Sequence, residues 1–289
     1  MGIWEIYLTT AMHGLVYGML IFLVASGLTL VLGMAGVLNI AHAALYMLGA
    51  YFAYTFTHST GSFWLSLILS PVIVALVAVL IERFLLRKTY AKGHVPQILL
   101  TFGLLYMISE IVRMVWGTNP LRVFEPPLLS GEIPFLGGTY PVYRLFIIGF
   151  SILILIGMLL FLMRTRVGLV IRAAVHDADM VGALGTNVPF YLFVVYAGGA
   201  ILAAVAGVIA APMLSIFSGM GDQILLDCFV VIIVGGFGSL LGAFVAALLV
   251  GELQSFGVLW IPQLALVFEF LLMAVVLAIR PTGLFGEEA

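Results

Sequence analysis

The polar side chains of this sequence that could do chemistry lie beside glycines. Two stretches interrupt long apolar runs: Gly33-Met-Ala-Gly36-Val-Leu-Asn39-Ile-Ala-His42 and Gly235-Gly236-Phe-Gly238-Ser239-Leu-Leu-Gly242. A glycine costs about 1 kcal/mol in a helix interior and permits positive φ, so each stretch is a point where a helix is expected to break. Backbone that leaves a helix at membrane depth must be buried in protein or line a cavity. Paired glycine-interrupted segments in two halves of a membrane protein point to a solute path. The chemistry on offer is therefore hydrogen bonding to something that passes, with Asn39, His42 and Ser239 as candidate path-lining groups. The plainer alternatives are that most of the 32 glycines serve close packing, and that His42 is a buried imidazole satisfied by backbone. Gly14-xxx-Gly18, Gly199-xxx-Ala203-xxx-Gly207 and Gly238-xxx-Gly242 are small-xxx-small patterns that let helices approach.

Other chemistries lack their residues. The five histidines (13, 42, 58, 94 and 176) show no metal-ligand spacing, and there is no HExxH. Ser239 in GFGSL lacks the GxSxG surroundings of an activated nucleophile. A phosphate-binding loop needs GK[ST], but Lys88 follows Arg87 and Lys92 follows Ala91. The expectation is a non-enzyme with no cofactor, no metal and no nucleotide site of its own. Six carboxylates, Glu82, Glu110, Asp222, Asp227, Glu252 and Glu269, fall in or at the ends of apolar runs. A charge at the centre of a span costs roughly 2.5–3.5 kcal/mol on insertion scales. Glu110 has Arg113 at i+3, Glu82 adjoins the Arg83 cluster, and Asp222 and Asp227 are expected near a helix N-terminus, whose dipole favours them. Glu252 and Glu269 have no opposite charge nearby in sequence.

These groups must be positioned by membrane helices. Of 289 residues, 64% are hydrophobic and 8% charged, against about 25% charged in a soluble domain. The reading is an all-α, polytopic helix bundle forming a single domain over 1–289. No basic patch with interleaved aromatics exists, which sets nucleic acid aside. The lone Cys228 cannot form an intramolecular disulfide. No basic n-region or small-residue cleavage site opens the chain, so the first apolar run is expected to be a retained span. With roughly 20 apolar residues needed per span, segments fall at about 8–32, 38–57, 63–86, 95–116, 142–163, 190–214, 222–237, 239–257 and 261–279. The second and seventh are short or glycine-broken, which leaves eight or nine spans. Arg83, Arg87, Lys88, Lys92, Arg164, Arg166, Arg172 and Arg280 fall on one side, and Arg113, Arg122 and Arg144 on the other. The positive-inside rule then puts the N-terminus outside and the C-terminus in the cytoplasm. Trp4, Trp64, Trp116 and Trp260 fall near the outer ends. The stretch from Gly117 to Pro141, with five prolines, is the longest external loop.

One long stretch, 164–187, turns polar: RTRVGLVIRAAVHDADMVGALGTN. Asp177 and Asp179 can cap and polarise a short helix. Met180, Val181, Ala183 and Leu184 give it an apolar stripe, Gly185 can end it, and Pro189 bars its continuation. A capped helix with an exposed stripe on the cytoplasmic face suits docking into a partner's groove. The alternative is a surface helix resting on the protein's own membrane face.

Four segments in order resemble the permease family of branched-chain amino acid ABC importers: GLTLVLGMAGVLNIAHAALYMLGAY at 27–51, RTRVGLVIRAAVHDADMVGALGTNV at 164–188, FVVIIVGGFGSLLGAFVAALLVGELQS at 229–255 and RPTGLFGE at 280–287. The resemblance spans nearly the whole chain, and the length is similar to the shorter of the two permease subunits. It implies an inner-membrane subunit working by alternating access, with a second permease, two cytoplasmic ATPases and a periplasmic binding protein as partners. The glycine breaks themselves give the expected substrate path, along Gly36, Asn39, His42, Tyr46, Gly235, Gly236, Gly238 and Ser239, and the resemblance gives the 164–188 loop as the coupling helix that docks on an ATPase. An ATPase-coupling surface would comprise Gly168, Arg172, Asp177, Asp179, Ala183, Leu184 and Gly185. Ala43 stands where the family commonly has glycine, which leaves the backbone beside His42 less free. Substrates in the family run from branched-chain residues to amides, urea and aromatic acids, and the motifs do not choose among them. The competing reading is an ion-coupled secondary transporter using Glu110, Glu252 or Glu269; a passive channel is disfavoured by the polar loop.

Overall fold

The computed structural model describes residues 2–36, 39–135 and 138–286. Val37 and Leu38 of the first glycine-broken stretch and Glu287 of the last motif lie outside them. The described chain is helical apart from one hairpin. Helix α1 (Ile3–Ala35) has 33 residues, about 50 Å at 1.5 Å per residue, and ends where Gly36 turns left-handed at φ 62 with its N–H on Leu32 O. Helix α2 (His42–Thr60) does not start beside that end. His42 Nε2 lies 3.2 Å from Val24 O, twelve residues back along α1, or roughly 18 Å inside the bundle.

Helices α3 (Phe63–Phe84) and α4 (His94–Trp116) form the next pair. They lead to an extended connection with an antiparallel hairpin of β1 (Glu132–Phe135) and β2 (Gly138–Pro141); Leu121 in this connection bridges Ile216. Then come α5 (Val142–Arg164), two helices outside the bundle proper, α6 (Arg166–His176) and α7 (Ala178–Ala183), and α8 (Val188–Ala210). The last three are α9 (Met220–Gly235), α10 (Leu240–Trp260) and α11 (Ala265–Ile279).

Among the described residues seven helical stretches are long and apolar enough to cross a membrane: α1, α3, α4, α5, α8, α10 and Pro262–Ile279, which contains α11. The two segments expected to be doubtful are α2, with 19 residues, and α9, with 16. Both are largely buried within the bundle. Of the most apolar window of α1, 78% is buried, against 22% for α5 and 11% for the last span, so α1 is central while α5 and α11 present apolar faces outward, as lipid contact requires.

Central packing depends on missing side chains. A Cβ on Gly27 would lie 2.7 Å from the Cα of Gly199, one on Gly49 2.4 Å from Ala204 O, and one on Gly207 2.1 Å from Tyr46 O. A Cβ on Gly18 would lie 2.7 Å from Ala247 O. The small-residue stripes thus bring α1 and α2 onto α8, and α1 onto α10, at backbone contact.

The ends sort into two faces. One gathers the end of α1, the start of α4, α6, the α9–α10 junction and the C-terminal segment: Gly36 adjoins His94, Gly33 and Gly238 adjoin Val175, and Gly236 adjoins Gly286. The other carries the hairpin, the α8–α9 connection and all four tryptophans; Trp116 Nε1 donates to Thr55 Oγ1 at 2.8 Å, and Trp260 packs on Phe256, which meets Tyr7.

Two expectations change in detail. The polar stretch holds α6 as well as the capped helix. The apolar run ending near 214 leaves the helix at Ala210, because hydropathy continues where the backbone turns.

Candidate functional site

The two glycine breaks meet at one face. A Cβ on Gly33 would lie 2.6 Å from the Cα of Gly238, and one on Gly238 would lie 3.0 Å from Val175 Cγ1. Gly236 and Gly238 adopt φ 96 and 77, which a side chain disfavours. At Gly235 a Cβ would strike Gly242, and at Gly236 it would strike Gly286, in both cases at 2.5 Å. Ser239 Oγ accepts from Gly242 N at 3.0 Å and caps α10.

The polar groups of the first break lead inward. Asn39 is fully buried; its Nδ2 donates to Tyr196 OH at 3.2 Å, and its Oδ1 has no partner. His42 is buried, with Nε2 at hydrogen-bonding distance from Val24 O, so backbone does satisfy the imidazole. Tyr46, one turn further, borders a cavity of about 200 Å³ that opens toward the opposite face.

A larger cavity, about 610 Å³, lies under α6. Arg172 lines it together with Gly238 and Ser239. Expected coupling and path residues are thus brought together here, whereas Tyr46 belongs to the other cavity and shares no wall with them.

Each helix of the 164–188 stretch is built by local capping. Thr165 Oγ1 accepts from Gly168 N at 2.9 Å to start α6. A Cβ on Gly168 would lie 2.4 Å from Leu162 O, so α6 turns back tightly on α5. Asp177 Oδ1 accepts from Met180 N at 2.8 Å to start α7. At its end Gly185, φ 83, donates to Gly182 O and Thr186 donates to Val181 O, the paired bonds of a Schellman closure. Asn187 Oδ1 then caps α8 through Phe190 N. Ile171, Ala174 and Val181 point inward, whereas Met180 and Leu184 are 58% and 78% exposed; Arg172, Asp179 and Ala183 are exposed too.

The carboxylates resolve differently from one another. Glu110 pairs with Arg113 at 2.6 Å on the surface, and Arg113 Nε also donates to Ser218. Glu82 is buried and accepts from Tyr90 OH at 3.3 Å; burial, reinforced by Glu82, raises the Tyr90 phenol above its ordinary pKa. Glu252 packs on Gly14. Asp222 lies in the first turn of α9, where the dipole argument applies, but Asp227 lies beyond it. Its Oδ2 accepts from Tyr17 OH at 2.5 Å, and the Glu269 carboxyl lies beside it. Sequence reasoning missed this cluster. Tyr17 and Asp227 are 210 residues apart, and no local pattern marks them as partners.

A family model described as the permease component of branched-chain amino acid transport systems matches residues 10–279. The high-affinity branched-chain amino acid transport system permease protein BraD of Pseudomonas aeruginosa is 29% identical, over 97% of this chain and 96% of that one. LivH of Escherichia coli, a permease protein of the same description, is 24% identical over 97% and 96%. A probable LivH of Methanocaldococcus jannaschii is 27% identical over 95% and 91%. Among solved structures, PsaBC from Streptococcus pneumoniae in complex with a Fab superposes with a TM-score of 0.52 at 12% identity, covering 94% of this chain and 92% of that one, a likeness of fold alone. With the family model spanning nearly all of a multi-pass helical bundle, the chain belongs to the permease-component family of branched-chain amino acid transport systems, and is a membrane transport subunit, not an enzyme.

Proposed function

We propose that this chain is the membrane-spanning permease of an ATP-driven importer for branched-chain amino acids or a related small amino acid, amide or organic acid. In this reading it lies in the bacterial inner membrane with the α6–α7 face in the cytoplasm and the N-terminus outside. A second permease completes the path, two ATPases dock beneath, and a periplasmic binding protein delivers substrate from above. The observation that carries the reading is the contact of α6 with the α9–α10 break: Val175 touches Gly238, and Arg172 shares a cavity with Ser239. An ATPase that grips the exposed Met180 and Leu184 of α7 would pull on α6, and α6 bears directly on the junction of α1, α9 and α10. Closure of the ATPases would open one face of the path and shut the other, and substrate would pass the groups between Tyr46 and Asn39.

Complexes reconstituted in lipid vesicles test this. Uptake of labelled leucine, or of whichever amino acid the cognate binding protein retains, is expected to require ATP and the binding protein. The contact between Asp227 and Glu269 favours a second reading, ion coupling. Uptake driven by an imposed pH gradient without ATP would support that reading and refute the first.

A further inference from the structure

The cavity beside Tyr46 has unusual company for a membrane interior. Its walls include Leu20, Phe217 and Ile224, with Tyr17, Tyr46 and Gln223 as polar groups. The hydroxyl of Tyr17 passes from the wall to Asp227 at 2.5 Å, and Asp227 meets Glu269 across the α9–α11 contact. Asp227 is 5% exposed and Glu269 1%. Glu269 Oε1 has no hydrogen-bond partner. The one salt bridge among the described residues is Glu110–Arg113, so no basic side chain there neutralises either carboxyl. Two carboxyls packed together repel when both are charged, and a cation between them relieves that repulsion. Within a membrane, an acidic group facing the protein interior without a cationic partner marks a path for a positively charged group.

We propose that Asp227 and Glu269, reached through Tyr17, form the subsite that receives the α-ammonium group of an amino acid in transit, while the apolar wall takes its aliphatic side chain. The inference rests on the permease reading and names a binding site within it. Two buried carboxyls with no basic partner suit an ammonium. Gln223 on the same wall can donate to the substrate carboxylate. The small volume and the mixture of apolar wall and few convergent polar groups fit a small solute.

The test is ATP-dependent uptake of labelled leucine by the full complex in vesicles. Asp227→Asn and Glu269→Gln remove the charge with little change of shape. Losing one charge-assisted contact is expected to lower uptake roughly 10- to 100-fold. Asp227→Glu, which restores the charge, is expected to recover part of the rate, as a purely packing role would not. Asp222→Asn, exposed on the same helix, is the control and should transport as wild type. If Asp227→Asn does not assemble, Gln223→Leu on the exposed wall decides: slower uptake supports the subsite, unchanged uptake overturns it. A transporting wild type matched by Asp227→Asn overturns the subsite alone. A wild-type complex that moves no amino acid overturns the permease reading, and the subsite with it.

Discussion

Replacing Asp177 by alanine and Gly185 by valine should melt α7 while leaving the bundle intact. The helix has six residues, too few to be stable in isolation. It is held by the Asp177 cap, by the Gly185 closure and by burial of Val181, which is 8% exposed. Losing the cap costs about 1 kcal/mol. A left-handed residue other than glycine costs about 1–2 kcal/mol, with β-branched valine at the upper end. Together these remove about 2–3 kcal/mol, against about 1.5–3 kcal/mol from burying Val181. The helix–coil equilibrium should therefore shift by roughly 30- to 140-fold. Amide exchange across residues 179–184 should accelerate by that factor, with the detergent melting temperature of the whole subunit unchanged. In vesicles, amino acid taken up per ATP hydrolysed should fall several-fold. Asp177→Asn keeps a capping oxygen and should behave as wild type, whereas Asp177→Lys, which loses the cap and keeps the Gly185 closure, should fall between wild type and the double variant. Faster exchange with an unchanged uptake-to-ATP ratio would refute the coupling role.

The packing sets three further outcomes. Gly207→Val would drive a side chain into Tyr46 O, 2.1 Å from the new Cβ; a loss of about 3 kcal/mol should appear as a lower melting temperature, whereas Gly198→Val, with nothing within 4 Å, should stay within about 0.5 kcal/mol of wild type. Tyr196→Phe removes the hydroxyl that Asn39 Nδ2 engages and should destabilise the protein by about 1–3 kcal/mol, readable in the same melt. Asn39→Leu and Ser239→Leu should slow uptake without weakening ATPase docking, measured by co-purification; a substrate-bound structure with both residues packed away from any cavity would rule out their part in the path.

What could be read in the sequence is what acts within one helical turn. The cap at Asp177, the stop at Gly185 and the pair Glu110–Arg113 join residues three apart or need one backbone angle. The stripe through Gly199 and Gly207 was legible as a contact surface, yet nothing in it names Gly27 and Tyr46 as the surfaces it meets. Asp227 and Glu269 stand out singly as carboxylates in apolar runs, but the Tyr17–Asp227–Glu269 cluster was illegible because three separate helices bring its members together. Helix α6 went unread because its apolar positions are interleaved with Arg166 and Arg172, which look like charges of a loop when their shared face is unknown. Once folded, Ile171 and Ala174 are seen to point inward and Arg172 outward.

The two glycine breaks look alike in sequence but have different roles. At the α9–α10 junction, backbone meets backbone: Gly33, Gly235, Gly236, Gly238 and Gly242 leave no side chains between α1, the C-terminal segment and the junction. Side chains could absorb a small displacement by changing rotamer, but bare backbone cannot. Movement of α6 at Val175 must therefore shift whole helices, because close-packed elements move between discrete arrangements and do not deform continuously. At the other break the glycine only ends α1. Beyond it Asn39 is buried on the connection, and His42 and Tyr46 are carried inward on α2, which begins deep in the bundle. In the proposed reading the α9–α10 break transmits force and the α1–α2 break offers hydrogen bonds. Transport driven from the α6–α7 face needs both, and α1 joins them, since its end abuts Gly238 while its middle holds His42.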